Sequence, residues 1–475
     1  DTITHTAIVV ADTIDGGDGT DILSTNSNQA NVLDAATPST YTITNVESLS
    51  ISNQLAAGVL TTQNIATSID RVVLANSAAD TALLAGAATI VGGAGEFAID
   101  IGSDNAANTG RILGNALTAT DTGSSTTDTL TLTNLSTVTA TGLALDVFGG
   151  VAVTSTGYEN VAINTGAVSG GAEQDIGTLT LTPDSTDAAV SLTASGANAL
   201  HIDTSLTTTS TALMTVDASG LVAQAAGTPT LTIDSTSQAT GGTASITGSS
   251  GDDSIVVGNF ASTIDGGAGN DTLTGGTAAD NIQGGEGVDQ ITGGGGNDTV
   301  DGGAGNDTIT VSGTSVSVVG GAGNDTVNMD GTLSSGDVVV GGDGTDTLAI
   351  DAAATASSSQ GVSEFEVLRF DTAAINQDMV QFTANNFNRI DNNIAGANSI
   401  TNVGASVATA RALNGTTTFA LDRLLDNSSN ALTIGALTDV ATTITTALTV
   451  DDEETLTLDG GAIDSAIGFT ITTLN

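Results

Sequence analysis

Residues 284–310 read GGEGVDQIT, GGGGNDTVD and GGAGNDTIT, three nonapeptides laid end to end. Their common form is GGxGxDxUx, where U is a bulky aliphatic residue. Working outward, the frame runs without a register break from Gly248 to Asn328, nine frames in all. GGAGNDTLT from Gly266 and GGAGNDTVN from Gly320 complete a set of five with every glycine present. GGTAADNIQ from Gly275 lacks the third glycine but keeps Asp280, and GSSGDDSIV keeps Gly248, Gly251 and Asp253. Two degenerate frames, VGNFASTID from Val257 and VSGTSVSVV from Val311, still place Ile264 and Val318 at the eighth position. A tenth frame, GGDGTDTLA from Gly341, follows a 12-residue spacer. A short fixed period of this kind marks a stacked repeat architecture.

The chemistry follows from the positions. Glycines at the first, second and fourth places permit backbone conformations closed to other residues, so the chain turns sharply with its carbonyls exposed. These are Gly266, Gly267 and Gly269, Gly275, Gly284 and Gly287, Gly293 and Gly296, Gly302 and Gly305, Gly320 and Gly323, and Gly341 and Gly344. The sixth place adds a carboxylate beside those carbonyls, at Asp253, Asp271, Asp280, Asp289, Asp298, Asp307, Asp325 and Asp346. Carboxylates and carbonyls together form the all-oxygen shell that Ca²⁺ prefers. The last three places form a short strand whose middle residue points inward. Each frame is then a half-coil of a flattened solenoid, and alternate frames stack. One column reads Asp253, Asp271, Asp289, Asp307, Asp325, and the spacer at 329–340, as one long half-coil, adds Asp346. The other reads Ser262, Asp280, Asp298, Val316, with carboxylates only in the middle. The expectation is about five or six calcium ions, most of them on one edge. Gly-Gly and Asn-Asp pairs also make ordinary hairpin turns. One copy would therefore carry no information; nine copies in phase do.

Composition points the same way. The chain has 475 residues, 53 acidic side chains and six basic ones, all arginine, for a formal charge of −47. Such a surface excludes nucleic acid as a partner and repels itself unless cations neutralise part of it. Acidic disordered chains have low hydrophobicity, whereas here 39% of residues are apolar and mean hydropathy is positive. Aromatics make up 2% and tryptophan is absent, so the core falls to Val, Ile, Leu and Ala, residues suited to packed strands. No apolar run approaches the ~18 residues that would span a membrane. Cysteine is absent, which decides nothing about compartment. The chain opens at Asp1 without a signal pattern and reads as a mature or partial chain.

Alternating threonine runs fill residues 110–247: TLTLTNLSTVTATGLAL from Thr129, TLTLTPDST from Thr178 and TLTIDSTSQ from Thr230. Period-two alternation broken by Gly, Asn, Asp and Ser predicts many short strands. The fold class is all-β, a parallel β-solenoid or β-roll with flanking Thr-rich β modules. Four regions are expected: an isolated nonapeptide with capping strands at 1–60, a solenoid or sandwich-like region at 61–247, the calcium roll at 248–349 and a β-rich assembly region at 350–475.

The isolated nonapeptide is GGDGTDILS from Gly16, with Asp21, preceded by a half-matching frame carrying Asp12. Asp12, Asp18, Asp21 and Asp343 are further candidate ligands. Each GGDGTD copy is followed by a variable stretch and then an acidic strand, VESLSI at Val46–Ile51 and FEVLRF at Phe365–Phe370. YENVAI at Tyr158–Ile163 and ETLTL at Glu454–Leu458 are related. This arrangement resembles the lattice-forming part of bacterial RTX-type S-layer proteins. Those are rich in Thr, Ala, Ser and Gly, nearly free of lysine and cysteine, and place GGxGTDxL before an FExL-type strand. The compositional likeness covers almost the whole chain and the specific motifs about a third of it. The resemblance implies calcium ligation by the repeat, type I secretion, folding in extracellular calcium and self-assembly into a two-dimensional lattice. The implied partners are further copies of the chain and a cell-surface polysaccharide anchor. TITTLN at the end is not a clear type I signal, and no anchoring region is recognised near Asp1. A secreted adhesin or biofilm-matrix protein is the alternative.

Enzyme chemistry finds no support in the residues. The G-x-S-x-G elbow is absent. H-E-x-x-H needs paired histidines, and the only two, His5 and His201, stand 196 positions apart. A phosphate loop needs a lysine. A base-and-acid cluster on a β-helix is poorly served by Tyr41, Tyr158 and six scattered arginines. His5 and His201 read as ordinary strand or surface residues, and the run Asp451–Glu454 as a solvated loop or a subunit-bridging site.

Overall fold

The computed structural model describes residues 2–4, 13–26, 30, 42–51, 54–55, 57–74, 84, 86–93, 95–101, 113, 115–122, 127–135, 148, 150–166, 173–184, 189–208, 213–225, 227–235, 242–372, 375–385, 387–393, 397–403, 406–407, 409–412, 418–423, 432–436, 443–448, 456–459 and 468–474. The chain divides into two compact units, Asp1–Thr272 and Leu273–Asn475.

In the first unit the chain alternates between two parallel sheets. One sheet stacks Thr2–Thr4, Ile22–Thr25, Ser48–Ile51, Arg71–Leu74, Glu96–Ile101, Thr129–Asn134, Asn160–Asn164, Val190–Gly196, Leu213–Leu221, Thr243–Thr247 and Ser262–Ala268. The other stacks Gly58–Thr61, Ala88–Val91, Leu117–Thr120, Val151–Thr156, Gln174–Thr182, Leu200–Thr208, Leu231–Asp234 and Asp253–Val256. A separate parallel pair joins Thr13–Asp15 to Thr42–Thr44. Every described strand pair within residues 61–247 is parallel, as coil stacking demands and a hairpin-built sheet would not. Among the described residues a turn of α-helix stands at Thr62–Ile65.

The second unit repeats the scheme. Asn281–Glu286, Thr299–Ala304, Ser317–Ala322, Val338–Asp343 and Val362–Ser363 form one parallel sheet. Gln290–Gly294, Thr308–Val311, Thr326–Met329, Thr347–Ile350, Val367–Phe370, Arg389–Asn392, Thr409–Ala412, Leu432–Ala436 and Leu456–Asp459 form another. Asn376–Asp378, Ala397–Val403, Thr418–Arg423, Thr443–Leu448 and Gly468–Leu474 make a third.

Alternation in sequence becomes alternation in burial. TLTLTN at Thr129–Asn134 turns Leu130 and Leu132 inward and its threonines outward. Inward residues stack in register: Leu130, Val161, Leu192, Val216, Ile246 and Ile264 form one aliphatic ladder. In the second unit Ile282, Val300, Val318, Val339 and Val362 form another. A third runs through Ile291, Ile309, Val327, Leu348, Leu368 and Ile390. All are buried. The eighth-place residue of each nonapeptide, including Ile264 and Val318 of the degenerate frames, thus supplies the core.

The strands named from sequence need one correction. Val46–Ile51 and Phe365–Phe370 begin as strands only at Ser48 and Val367, and the YENVAI strand begins at Asn160. Glu47, Glu366 and Glu159 therefore sit in the turns, the place that aspartate takes in a nonapeptide. Glu454 lies outside the described residues, next to the strand Leu456–Asp459.

Ile309 is fully buried between Ile291 and Val327, so Ile309→Ala should cost about 2–4 kcal/mol in calcium-saturated denaturant unfolding. Thr308→Ala, on the exposed side of the same strand, should change stability by less than about 0.5 kcal/mol.

Candidate calcium-binding turns

The glycines are required for two different reasons. Those at the second and fourth places have left-handed φ, such as Gly303 at 103° and Gly305 at 147°, or Gly321 at 114° and Gly323 at 138°. The same holds for Gly267, Gly269, Gly287, Gly296 and Gly344. First-place glycines do not adopt a left-handed φ, contrary to the reading from sequence. They are excluded from carrying a side chain by space. A Cβ at Gly302 would lie 2.7 Å from Asp307 Oδ2 and collide with the carbonyl oxygen of Gly320 in the next coil. At Gly320 it would meet Asp325 Oδ2 at 2.8 Å and the Gly341 carbonyl. Gly266 lends its carbonyl to the turn of Gly248 in the same way, and Gly275, Gly284 and Gly293 repeat the first-place crowding. Each turn thus holds a knot of oxygens that leaves no room for a methyl group.

The sixth-place aspartates are tied from coil to coil. The Asp289 N–H donates to Asp307 Oδ1 at 2.9 Å, Asp307 N–H to Asp325 Oδ1 at 2.8 Å and Asp325 N–H to Asp346 Oδ1 at 2.8 Å. Asp346 N–H continues the column to Glu366 Oε2 at 2.8 Å. The spacer does form one long half-coil, since Ser317 pairs with Val338 and Thr326 with Thr347. In the other column of this unit Asp280 N–H donates to Asp298 Oδ1 at 3.0 Å. Within the first unit Asp253 N–H bonds Asp271 Oδ1 at 2.8 Å.

One carboxylate oxygen of each of Asp298, Asp307, Asp325 and Asp346 is therefore engaged, and the second decides whether a cation fits. Oδ2 of Asp298, Asp307, Asp325 and Asp346 is buried and accepts no hydrogen bond. A buried charged oxygen without a partner is costly, and here it faces glycine carbonyls that cannot donate. An oxygen-only cradle of this kind suits Ca²⁺. The residues that would hold it are the sixth-place aspartates and the glycine carbonyls of stacked turns. Asp253 differs: Ser249 donates its N–H and hydroxyl to the two carboxylate oxygens at 2.6 and 2.9 Å, and Leu231 N–H adds a third bond at 2.9 Å. Serine in the second place thus satisfies this carboxylate from within the protein.

Three turn acids escaped the nonapeptide pattern. Asp337 lies opposite Val316, accepting its N–H at 3.1 Å and that of Ser334 at 2.7 Å. Counting nine back from Gly341 puts Asp337 in sixth place and Val339 in eighth, a signal that was present in the sequence. Glu366 and Glu47 occupy the same position with a longer side chain; Asp21 N–H donates to Glu47 Oε2 at 2.8 Å. Asp21 is buried, while Asp18 and Asp343 are exposed. Asp12 and the run Asp451–Glu454 lie outside the described residues.

Burial drives the proton equilibria of these turns. It pushes Asp253, Asp307 and Asp346 up to about 6, against hydrogen bonds that lower them, and it also raises Asp298 and Asp325.

The RTX calcium-binding nonapeptide repeat matches the chain in four copies, at residues 11–28, 247–280, 274–309 and 317–328. The protein therefore carries calcium-binding RTX repeats on a parallel β-solenoid, the class of module typical of secreted proteins. No curated protein and no solved structure compared with the chain is significantly similar to it. No described helix is long and apolar enough to cross a membrane.

Within the second unit the column from Asp289 to Glu366 has four successive pairs of acids and the column of Asp280 has one. Anomalous scattering from a calcium-loaded crystal should place more ions along the first; an even split would overturn the assignment. Asp307→Asn should lower the bound calcium count, whereas the exposed Asp301→Asn should leave it unchanged. The pKa values fix a pH dependence. Carboxyls raised in the folded state favour the metal-free fold when protonated, a contribution lost as pH rises through about 6. Calcium needs the deprotonated form. Lowering pH from about 7 to about 5 should therefore weaken calcium affinity while raising the folded fraction in EGTA, both followed by circular dichroism.

Proposed function

We propose that this protein is a structural surface-layer protein that folds on reaching extracellular calcium and tiles the cell surface as a two-dimensional lattice. The observation that carries the reading is a module built twice. At Gly16 and at Gly341 a GGDGTD turn meets the carbonyl of a left-handed residue, Asn45 or Glu364. Two residues later a glutamate, Glu47 or Glu366, accepts the turn aspartate's N–H. The GGDGTD turns and the strands that carry Glu47 and Glu366 are the motifs on which the resemblance to RTX-type S-layer proteins rests, and their shared geometry makes each pair one unit of construction.

The working cycle follows from charge. Before export, where free calcium is scarce, the stacked carboxylates repel one another and oppose closure of the turns. Calcium, when bound, supplies the positive charge that turns ligation into folding free energy. Extracellular modules bind with Kd of about 10⁻⁴–10⁻³ M, a range that sets the switch by compartment and fits export by a type I system. The parallel stacks end in strand edges, which pair or need cover, and the chain's remaining acidity calls for cations between subunits. Further copies of the chain, anchored through a surface polysaccharide, are the partners this reading requires. It assigns no catalysis.

Electron microscopy of the purified chain, before and after millimolar calcium and again after EGTA, tests the proposal. Ordered sheets that dissolve on chelation are expected. Calcium-dependent folding that yields only monomers or isolated fibres would replace the lattice with an adhesin or matrix protein.

A further inference from the structure

Away from the calcium turns, one group of side chains in the first unit combines nitrogen and oxygen donors. Asp175 in strand Gln174–Thr182 lies in register beside His201 in strand Leu200–Thr208. Both alternate with buried neighbours, Gln174 and Ile176 on one strand and Leu200 and Ile202 on the other, so both face outward. Glu173, two residues before Asp175, shares that face by the period of an extended chain. The three donor atoms lie within 4.8 Å of one another. His201 Nδ1 stands 3.5 Å from Glu173 Oε2 and 3.5 Å from Asp175 Oδ1.

The other ring nitrogen fixes the tautomer. His201 Nε2 lies 3.2 Å from the carbonyl oxygen of Pro229. A carbonyl can only accept, so Nε2 carries the proton of that bond. In the neutral ring Nδ1 then presents its lone pair to the two carboxylates. A histidine oriented through its second nitrogen by a backbone carbonyl is the usual supporting arrangement around a metal-binding imidazole.

The distances separate an ion pair from a ligand set. An imidazolium paired with carboxylate would draw at least one oxygen to about 2.7–2.9 Å. Here both oxygens stop at 3.5 Å. Donors about 2.0–2.2 Å from a tetrahedral zinc ion are separated from one another by about 3.4 Å. The pair of nitrogen–oxygen spacings matches that figure. The imidazole selects the class of ion, because calcium takes oxygen donors while zinc, cobalt, nickel and copper favour imidazole. Burial also holds the Asp175 carboxyl above its ordinary value; a protonated His201 would oppose that rise, and Glu173 adds to it. A cation at this point would relieve that cost.

We propose that Glu173, Asp175 and His201 bind one divalent transition-metal ion of the zinc class, with solvent completing its shell. The site is independent of the calcium turns and of the surface-layer reading. It joins the strand of Asp175 to the next coil through His201, whose ring is held by Pro229 ahead of the strand Leu231–Asp234. An ion there would fasten successive coils from the outside, at a stretch where the described turns have no run of perfect nonapeptides.

The test uses the full chain in saturating calcium, so that the acidic turns are already filled. Isothermal titration with Zn²⁺ should give one site per chain, and Co²⁺ should give the visible absorption bands of a low-symmetry, tetrahedral-type complex. His201→Ala and Asp175→Asn should each weaken that site by more than about a hundredfold, beyond the ten- to hundredfold typical of outer partners. His5→Ala should leave it unchanged. Should either site variant lose its calcium-loaded circular dichroism spectrum, the wild-type chain still decides the matter. Zn²⁺ should protect one of its two histidines from diethylpyrocarbonate, and mass spectrometry should locate the protection at His201. Absence of a stoichiometric zinc site, undiminished binding in a folded His201→Ala chain, or equal modification of His201 with and without zinc would each overturn the proposal.

Discussion

Everything in the nonapeptide run depends on how closely one turn can lie on the next. A backbone N–H of one coil reaches the carboxylate of the coil beyond, and the carbonyls of stacked glycines nearly touch the space where side chains would begin. That closeness brings several oxygens into one small volume, at a cost that hydrogen bonds alone do not remove, since the second carboxylate oxygen of Asp298, Asp307, Asp325 and Asp346 is left without a donor. Cation binding and coil stacking are therefore one interaction seen from two sides. The strands follow passively, their register set at the turns and their inward residues delivered to a common ladder.

Much of this was legible because a fixed period carries so much information. Glycine and aspartate in phase gave the turns, and the eighth-place aliphatic residue gave the core, even in frames that had lost their glycines. The alternating threonine runs gave strands at Thr129–Asn134, Gln174–Thr182 and Leu231–Asp234, which pair in parallel with their neighbours. What the pattern hid was the substitution of equivalent parts. Glu47 and Glu366 do the work of aspartate from a turn that has no glycine pair, so their carboxylates looked like decoration on a strand. Asp337 was masked because the spacer broke the count from one side and could be read only from the other.

Other features were out of reach for physical reasons. The division of labour among the glycines rests on a contact between coils, which a single frame does not contain. Satisfaction of Asp253 by Ser249 depends on where a hydroxyl points. The meeting of Glu173, Asp175 and His201 depends on a register between strands of successive coils, with the strand Val190–Gly196 between them in the chain. A histidine read alone is an ordinary residue; only the neighbouring coil gives it company.

Coil length behaves differently along the chain. Asn281 lies beside Thr299 and Thr299 beside Ser317, a step of 18 residues each time. In the first unit Ser48 lies beside Arg71, a step of 23, and Glu96 beside Thr129, a step of 33. The longer coils keep their ladder while their loops vary, so that part of the chain can absorb insertions one residue at a time. From Gly248 to Asn328 the frames keep one length of nine residues, and the spacer at 329–340 lengthens one half-coil to twelve. Loss of a single frame would carry every later carboxylate to the opposite edge, exchanging the rich column for the poor one. Only changes in multiples of two frames keep each later carboxylate on its own edge, so the roll's unit of construction is the pair of frames.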